Sequence, residues 1–152
     1  MRIAVGADAN GFTLKEAVKA HLAAAGHDVE DFGVHGAENV DYPDVAVAVA
    51  SAVAADRYER AVLVCGTGLG MAIVANKVPG VRAASVTDPY SAERARASND
   101  AQVLCLGAQV TGASVALILV DHWLRAEFAG GRSTPKVDKI RALDADRLGG
   151  AA

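Results

Sequence analysis

Aromatic side chains make up only 5% of this 152-residue chain, with one tryptophan, three tyrosines and three phenylalanines. So few flat rings leave little to stack against bases. There is no basic surplus either: 15 lysines and arginines stand against 18 aspartates and glutamates, for a formal net charge of −3. Without excess cations there are no counterions to release from a phosphate backbone, and nucleic acid is not an expected partner. Long apolar runs are also missing. The longest strongly apolar stretch, VALILV at 115–120, ends at Asp121, far short of the roughly 20 residues a bilayer span requires. No membrane partner is expected. The two cysteines, Cys65 and Cys105, have no metal-ligand spacing, and no basic and apolar leader precedes the first strand-like run. A reducing cytoplasm is the compartment that fits.

What is present is apolar: 52% of residues are hydrophobic, enough to bury a core within one domain, drawn here over residues 1–152. RIAVGAD reads as a strand and FTLKEAVKAHLAAAG as a helix with Leu14, Ala17, Val18 and Leu22 on one face. HDVEDFG, ERAVLVCG, VRAASVT and AQVLCLGA read as further strands. Each alternates with a helical pattern, in YPDVAVAVASAVAAD, TGLGMAIVANKV, PYSAERARASN and TGASVALILVDHWLRAEF. Five such βα units predict an α/β three-layer sandwich, Rossmann-like, around a five-stranded parallel sheet. A last charged helix, about 134–148, follows the completed sheet and is expected to pack on a neighbouring surface, the partner subunit above all.

Ligands of such sheets bind at the carboxyl ends of the strands. The richest loop there is CGTGLGM at 65–71. Its G-x-G-x-G resembles a dinucleotide fingerprint, but it follows the third strand and its spacing is not G-x-G-x-x-G. Chemistry fits better than nucleotide binding. Cys65 ends an apolar strand before a helix N-terminus, where N–H groups and the helix dipole favour a thiolate. The backbone of Gly66, Gly68, Leu69 and Gly70 can approach a ligand and hold an oxyanion, and Thr67 adds a hydroxyl. A base beside a polarised oxygen is what proton abstraction next to a carbonyl needs. The alternative is that Cys65 is one more small buried hydrophobe, as Cys105 is taken to be. In the first turn, GADANGF, Asp8 can meet a phosphate, a metal or a substrate hydroxyl, and the residues alone do not choose.

GADANGF followed by LK, DYPD at 41–44, CGTGLGM with ANKVPGVRA behind it, SNDAQVLCLGAQV at 98–110 and GGR at 130–132 together resemble the ribose-5-phosphate isomerase B family. Galactose-6-phosphate isomerase subunits and tetrulose-phosphate isomerases are its relatives. The resemblance runs in unbroken order from residue 1 to about 141. It implies an aldose–ketose isomerase that works through an enediolate with no metal and no cofactor, on a small sugar or sugar phosphate. Cys65 falls on the family's base, and the loop 66–70 on the donors to the enediolate oxygen, with Thr67 assisting. Asp8 falls on the carboxylate that handles substrate hydroxyls, Tyr42 on a residue lining the pocket, and Asn99 on an asparagine supplied by the partner subunit. A homodimer or tetramer with shared active sites is implied.

The departures from that pattern carry equal weight. The family's G-x-D-H-x-G has Ala9 in place of its histidine, with Asn10 at the variable position after it, and the histidine that acts in ring opening is Ser98. An arginine of the phosphate grip is Gln109; Arg132 is retained, and a second downstream arginine is Lys136. Ala9, Asn10, Tyr42, Ser98, Gln109, Arg132 and Lys136 are therefore the candidate substrate contacts, around a catalytic set of Cys65, Thr67, Asp8 and Asn99. Losing an acid–base partner for ring opening removes roughly 10²–10⁴-fold in rate on a cyclic sugar. Losing an arginine removes a bidentate contact to a phosphate. The expectation is a substrate shifted from ribose 5-phosphate toward a tetrulose phosphate, an unphosphorylated sugar or a uronate. A non-catalytic sugar-phosphate-binding homologue is the alternative.

Overall fold

A computed structural model describes residues 1–36 and 38–149; the last three residues of the domain drawn over 1–152 lie outside these. Strands β1 (Arg2–Ala7), β2 (Asp28–Asp31), β3 (Arg60–Cys65), β4 (Ala83–Ser85) and β5 (Val103–Gly107) form one parallel sheet in the order β2-β1-β3-β5-β4. The expected α/β alternation holds. Helices α1 (Phe12–Ala24), α2 (Tyr42–Ala54), α3 (Leu69–Ala75), α4 (Pro89–Ala97) and α5 (Ala113–Arg125) cover both faces, and α6 (Thr134–Gly149) follows a short 3-10 turn at Gly131–Ser133.

Burial explains the strand order. All six residues of β3 are buried, as its unbroken run RAVLVC requires of a strand covered on both faces. Val62 and Val64 pack with Leu14 and Val18 of α1 and Leu119 and Trp123 of α5. On the other face Ala61, Leu63 and Cys65 pack with Val45 and Val49 of α2 and Met71 of α3. Each edge strand is shorter than the segment that reads as a strand in the sequence, four residues in β2 and three in β4. With a neighbour on one side only, they lose pairing where the chain turns away. Arg60 opens β3 and, almost wholly buried, donates to the carbonyls of Trp123, Leu124 and Ala126. That fork holds the end of α5 against the amino end of the sheet.

The final helix is tied to its own chain at three points. Val137 is buried, Arg141 meets the Asp100 carboxylate at 3.2 Å, and the Gly80 N–H donates to Asp144 at 2.9 Å. Leu143 and Leu148 remain exposed.

Candidate active site

Register brings the first two candidate residues together. Ala7 stands abreast of Val64 and Cys65 abreast of Gly107, so Asp8 and Cys65 end neighbouring strands, about 4.8 Å apart across a ladder. The Asp8 N–H donates to the Val64 carbonyl at 3.3 Å. Gly11 lets the turn lie this close: a Cβ there would stand 2.3 Å from the same carbonyl oxygen. Asp8 Oδ1 accepts the Gly11 N–H at 3.0 Å, which fixes the carboxylate at the start of α1.

The loop after β3 wraps the sulfur. The Gly68 N–H donates to Cys65 Sγ at 3.1 Å, and the side chain is 5% exposed. Gly68 has φ +78°, a left-handed turn in which a Cβ would press on the Leu106 carbonyl carbon and the Ser85 hydroxyl. Thr67 is exposed and its Oγ1 accepts the Leu69 N–H at 3.3 Å, leaving the hydroxyl proton to donate. In α3 the first intrahelical N–H is that of Ala72, bound to the Gly68 carbonyl. The N–H groups of Gly70 and Met71 thus open the helix without an intrahelical acceptor. A thiol, a carboxylate, a hydroxyl and free N–H donors share one end of the sheet, a set able to move a proton beside a carbonyl and hold the resulting oxyanion.

Tyr42 and Gln109 close on the same loop from either side. The Tyr42 ring lies 2.6 Å from where a Cβ of Gly70 would be, and the Gln109 Oε1 lies 3.0 Å from that of Gly66. Ala9 and Asn10 are exposed on the first turn. The loop after β5 is pinned by the Ala108 N–H on the Cys65 carbonyl and the Gln109 N–H on the Gly66 carbonyl, at 2.8 and 2.9 Å.

Ser98, Asn99, Arg132 and Lys136 are not part of this group. Ser98 and Asn99 follow α4, whose first turn lies at the carboxyl end of the sheet, so its last turn lies at the amino end. The Ala129 N–H bonds the Ala97 carbonyl at 3.0 Å, which brings the turn carrying Arg132 and the start of α6 with Lys136 to that amino end as well. The five residues of β5, at about 3.3 Å each, put roughly 15 Å between the two groups. The candidate residues therefore fall into two groups at opposite ends of the sheet.

Several residues serve the fold. Asp88 caps α4 by accepting the Ser91 N–H at 2.8 Å, Arg82 pairs with Asp100 at 3.0 Å, and Asn76 bridges the carbonyls of Ala72 and Ala83. His21 pairs with Asp121 at 2.7 Å and His35 lies 3.8 Å from Asp31. Two residues near the site were not singled out from the sequence: Ser85, which meets Gly68, and Lys15, whose buried ammonium bonds Asp31 and the Val34 carbonyl. The sequence signals for Lys15 are the LK that follows GADANGF and its place on the buried stripe of α1, one residue after Leu14. Among the described residues no cluster of three or more His, Cys, Asp or Glu is placed to hold a metal ion, and no helix is long and apolar enough to cross a membrane.

A family model described as Ribose/Galactose Isomerase matches residues 3–140 of the chain. The chain belongs to the ribose/galactose isomerase family. Its relatives agree. It is 48% identical over 144 residues to ribose-5-P isomerase B of Listeria innocua, covering 95% of this chain and 97% of that protein. It is 49% identical over 141 residues to D-erythrulose-4-phosphate isomerase of Pectobacterium atrosepticum, covering 92% and 93%. The solved structure of Clostridium thermocellum ribose-5-phosphate isomerase B superposes with a TM-score of 0.94 at 47% identity, over 97% of this chain and 99% of that one. This chain is an isomerase of that family.

Proposed function

We propose that the chain interconverts a linear four-carbon ketose phosphate and its aldose, with Cys65 as the base. The observation that carries the substrate choice is Ser98, which stands where a ring-opening histidine is expected. A tetrulose phosphate has too few carbons beyond its carbonyl to close a stable ring through a free hydroxyl, so it needs no such histidine. The name of the Pectobacterium relative, a D-erythrulose-4-phosphate isomerase, supports the same class.

In this reading the Cys65 thiolate takes a proton from C1 of the ketose and returns it to C2. The charge that builds on oxygen meets the N–H donors at the start of α3 and the Thr67 hydroxyl, and Asp8 carries the hydroxyl proton between the two oxygens. Only C–H and O–H single bonds are made or broken; the double bond moves from C2=O through the C1=C2 of the enediolate to C1=O, so the oxidation at C1 is matched by the reduction at C2 within the sugar. Asn99, Arg132 and Lys136 of a second copy complete the pocket, Arg132 and Lys136 at the phosphate end. Gln109, uncharged beside Gly66, replaces a cation there.

A substrate panel tests this. The highest kcat/KM is expected on a tetrulose phosphate, with ribose 5-phosphate slower by roughly 10²-fold or more. Ribose 5-phosphate turned over as well as any tetrulose phosphate, or a free sugar or uronate preferred to both, overturns it.

A further inference from the structure

Helix α4 ends in a left-handed turn that carries an aspartate where glycine is usual. The Asp100 N–H donates to the Arg96 carbonyl and the Ala101 N–H to the Ala95 carbonyl, at 3.0 and 2.9 Å, the paired bonds that close such a helix end. Asp100 takes the left-handed position, with φ +52°. Glycine would adopt it without strain, so the reason for a carboxylate lies in what it touches.

It touches three arginines from three parts of the chain. Arg82, just before β4, meets Oδ2 at 3.0 Å, Arg96 of α4 meets Oδ1 at 2.7 Å, and Arg141 of α6 meets Oδ2 at 3.2 Å. The Asp100 and Arg82 side chains are only 13% and 10% exposed, which shields these charge-assisted bonds from solvent. Arg82 also reaches the main chain beside it. Its Nε–H donates to the carbonyls of Asn99 and Asp100, at 3.2 and 3.0 Å. Asn99 is thus gripped through its backbone while the residue stays exposed. From the other side Arg141 ties in α6, the helix that carries Lys136. One carboxylate joins two of the candidate residues at the amino end of the sheet.

We propose that Asp100 is a positioning residue for the isomerisation: it fixes Asn99 and the helix bearing Lys136 in the arrangement in which one copy lends them to the Cys65 site of another. This rests on the reading above, in which those residues act in the site of a second copy. A glycine at position 100 would close α4 equally well and join nothing.

The test uses Asp100→Asn, which keeps the size and the tolerance of a left-handed backbone and removes the charge. As a homodimer it is expected to lose about tenfold or more in kcat/KM with a native circular dichroism spectrum. Unfolded and refolded in equal amounts with Cys65→Ala, it is expected to recover to about a quarter of wild-type activity. Half of the dimers are then mixed, and each has one site with Cys65 from the Asp100→Asn copy and a correctly held Asn99 from the other. Mixed with Asn99→Ala it is expected to recover nothing beyond the average of the two, because both variants spoil the same contribution. A merely structural defect would reach the variant's own Cys65 loop and prevent recovery with Cys65→Ala. That result overturns the proposal, as does wild-type activity in the Asp100→Asn homodimer. If Cys65→Ala and Asn99→Ala fail to complement each other, the shared site falls and this proposal with it; if they complement and Asp100→Asn does not complement Cys65→Ala, only the role of Asp100 falls. Arg141→Gln, at a half-exposed side chain, cuts the tie to α6 alone; the same pattern on a smaller loss is expected, so the test survives poor refolding of Asp100→Asn.

Discussion

The Lys15 ammonium has no exposed surface and is held by both Asp31 oxygens, at 2.8 and 2.7 Å, and by the Val34 carbonyl at 2.8 Å. A buried charge left without its partner is strongly destabilising. Burial by itself pushes the Asp31 carboxyl up, but Lys15, Lys19 and the Gly33 N–H outweigh it and pull it from 3.8 to about 2. A carboxyl held below its unfolded value contributes stability that is complete above that value and is lost as pH falls through the folded one. Asp31→Asn is expected to cost about 3 kcal/mol near neutral pH, with the gap to wild type closing between pH 4 and 2 in thermal melts. A gap that persists unchanged at pH 2 rules this pair out as its origin. Cys65 calls for a different experiment. If its sulfur is the base, Cys65→Ala loses roughly 10²–10⁴-fold or more in kcat, with a native circular dichroism spectrum and retained substrate binding. Exchange of substrate hydrogen with solvent deuterium should vanish with it; exchange that survives points to another base.

Between elements, the β3–α3 loop depends on how closely β5 lets it approach. A Cβ at Gly107 would sit 2.6 Å from both the carbonyl carbon and oxygen of Thr67. Those are backbone atoms, which cannot swing aside as a side chain does. Gly107→Ala is therefore expected to displace the loop carrying Thr67 and Gly68, lowering kcat at least tenfold while the sheet persists; crystallography and kinetics check this together, and wild-type kcat in the variant contradicts it. The elements themselves were legible because their signals are local. Unbroken apolar runs mark β3 and β5 as buried strands, Gly26 at φ +84° lies just past the end of α1, and Pro43 sits in the first turn of α2. The strand order was not legible: β4 lies outside β5, and which strands pair is a long-range property that no single segment records. Nor were the short edge strands, whose strand-like segments extend further than their hydrogen bonding.

At the scale of the molecule, Asp8, Cys65 and Thr67 were readable as one group because each lies in the turn directly after a strand of one parallel sheet. Asn99, Arg132 and Lys136 follow no such rule. They sit at the opposite end of the same chain, and nothing in their spacing brings them to Cys65. If they act in the reaction, a second chain must present them. In an isologous dimer each of the two sites then takes Cys65 from one copy and Asn99 from the other. Cys65→Ala and Asn99→Ala should each be strongly impaired as homodimers, yet unfolded together in equal amounts and refolded, about half of the dimers are mixed. Each mixed dimer has one site with both substitutions and one with neither. Activity should therefore rise to about a quarter of wild type, set by this counting alone. Were Asn99 to serve the Cys65 site of its own chain, or no site at all, mixing would restore nothing beyond the average of the two variants.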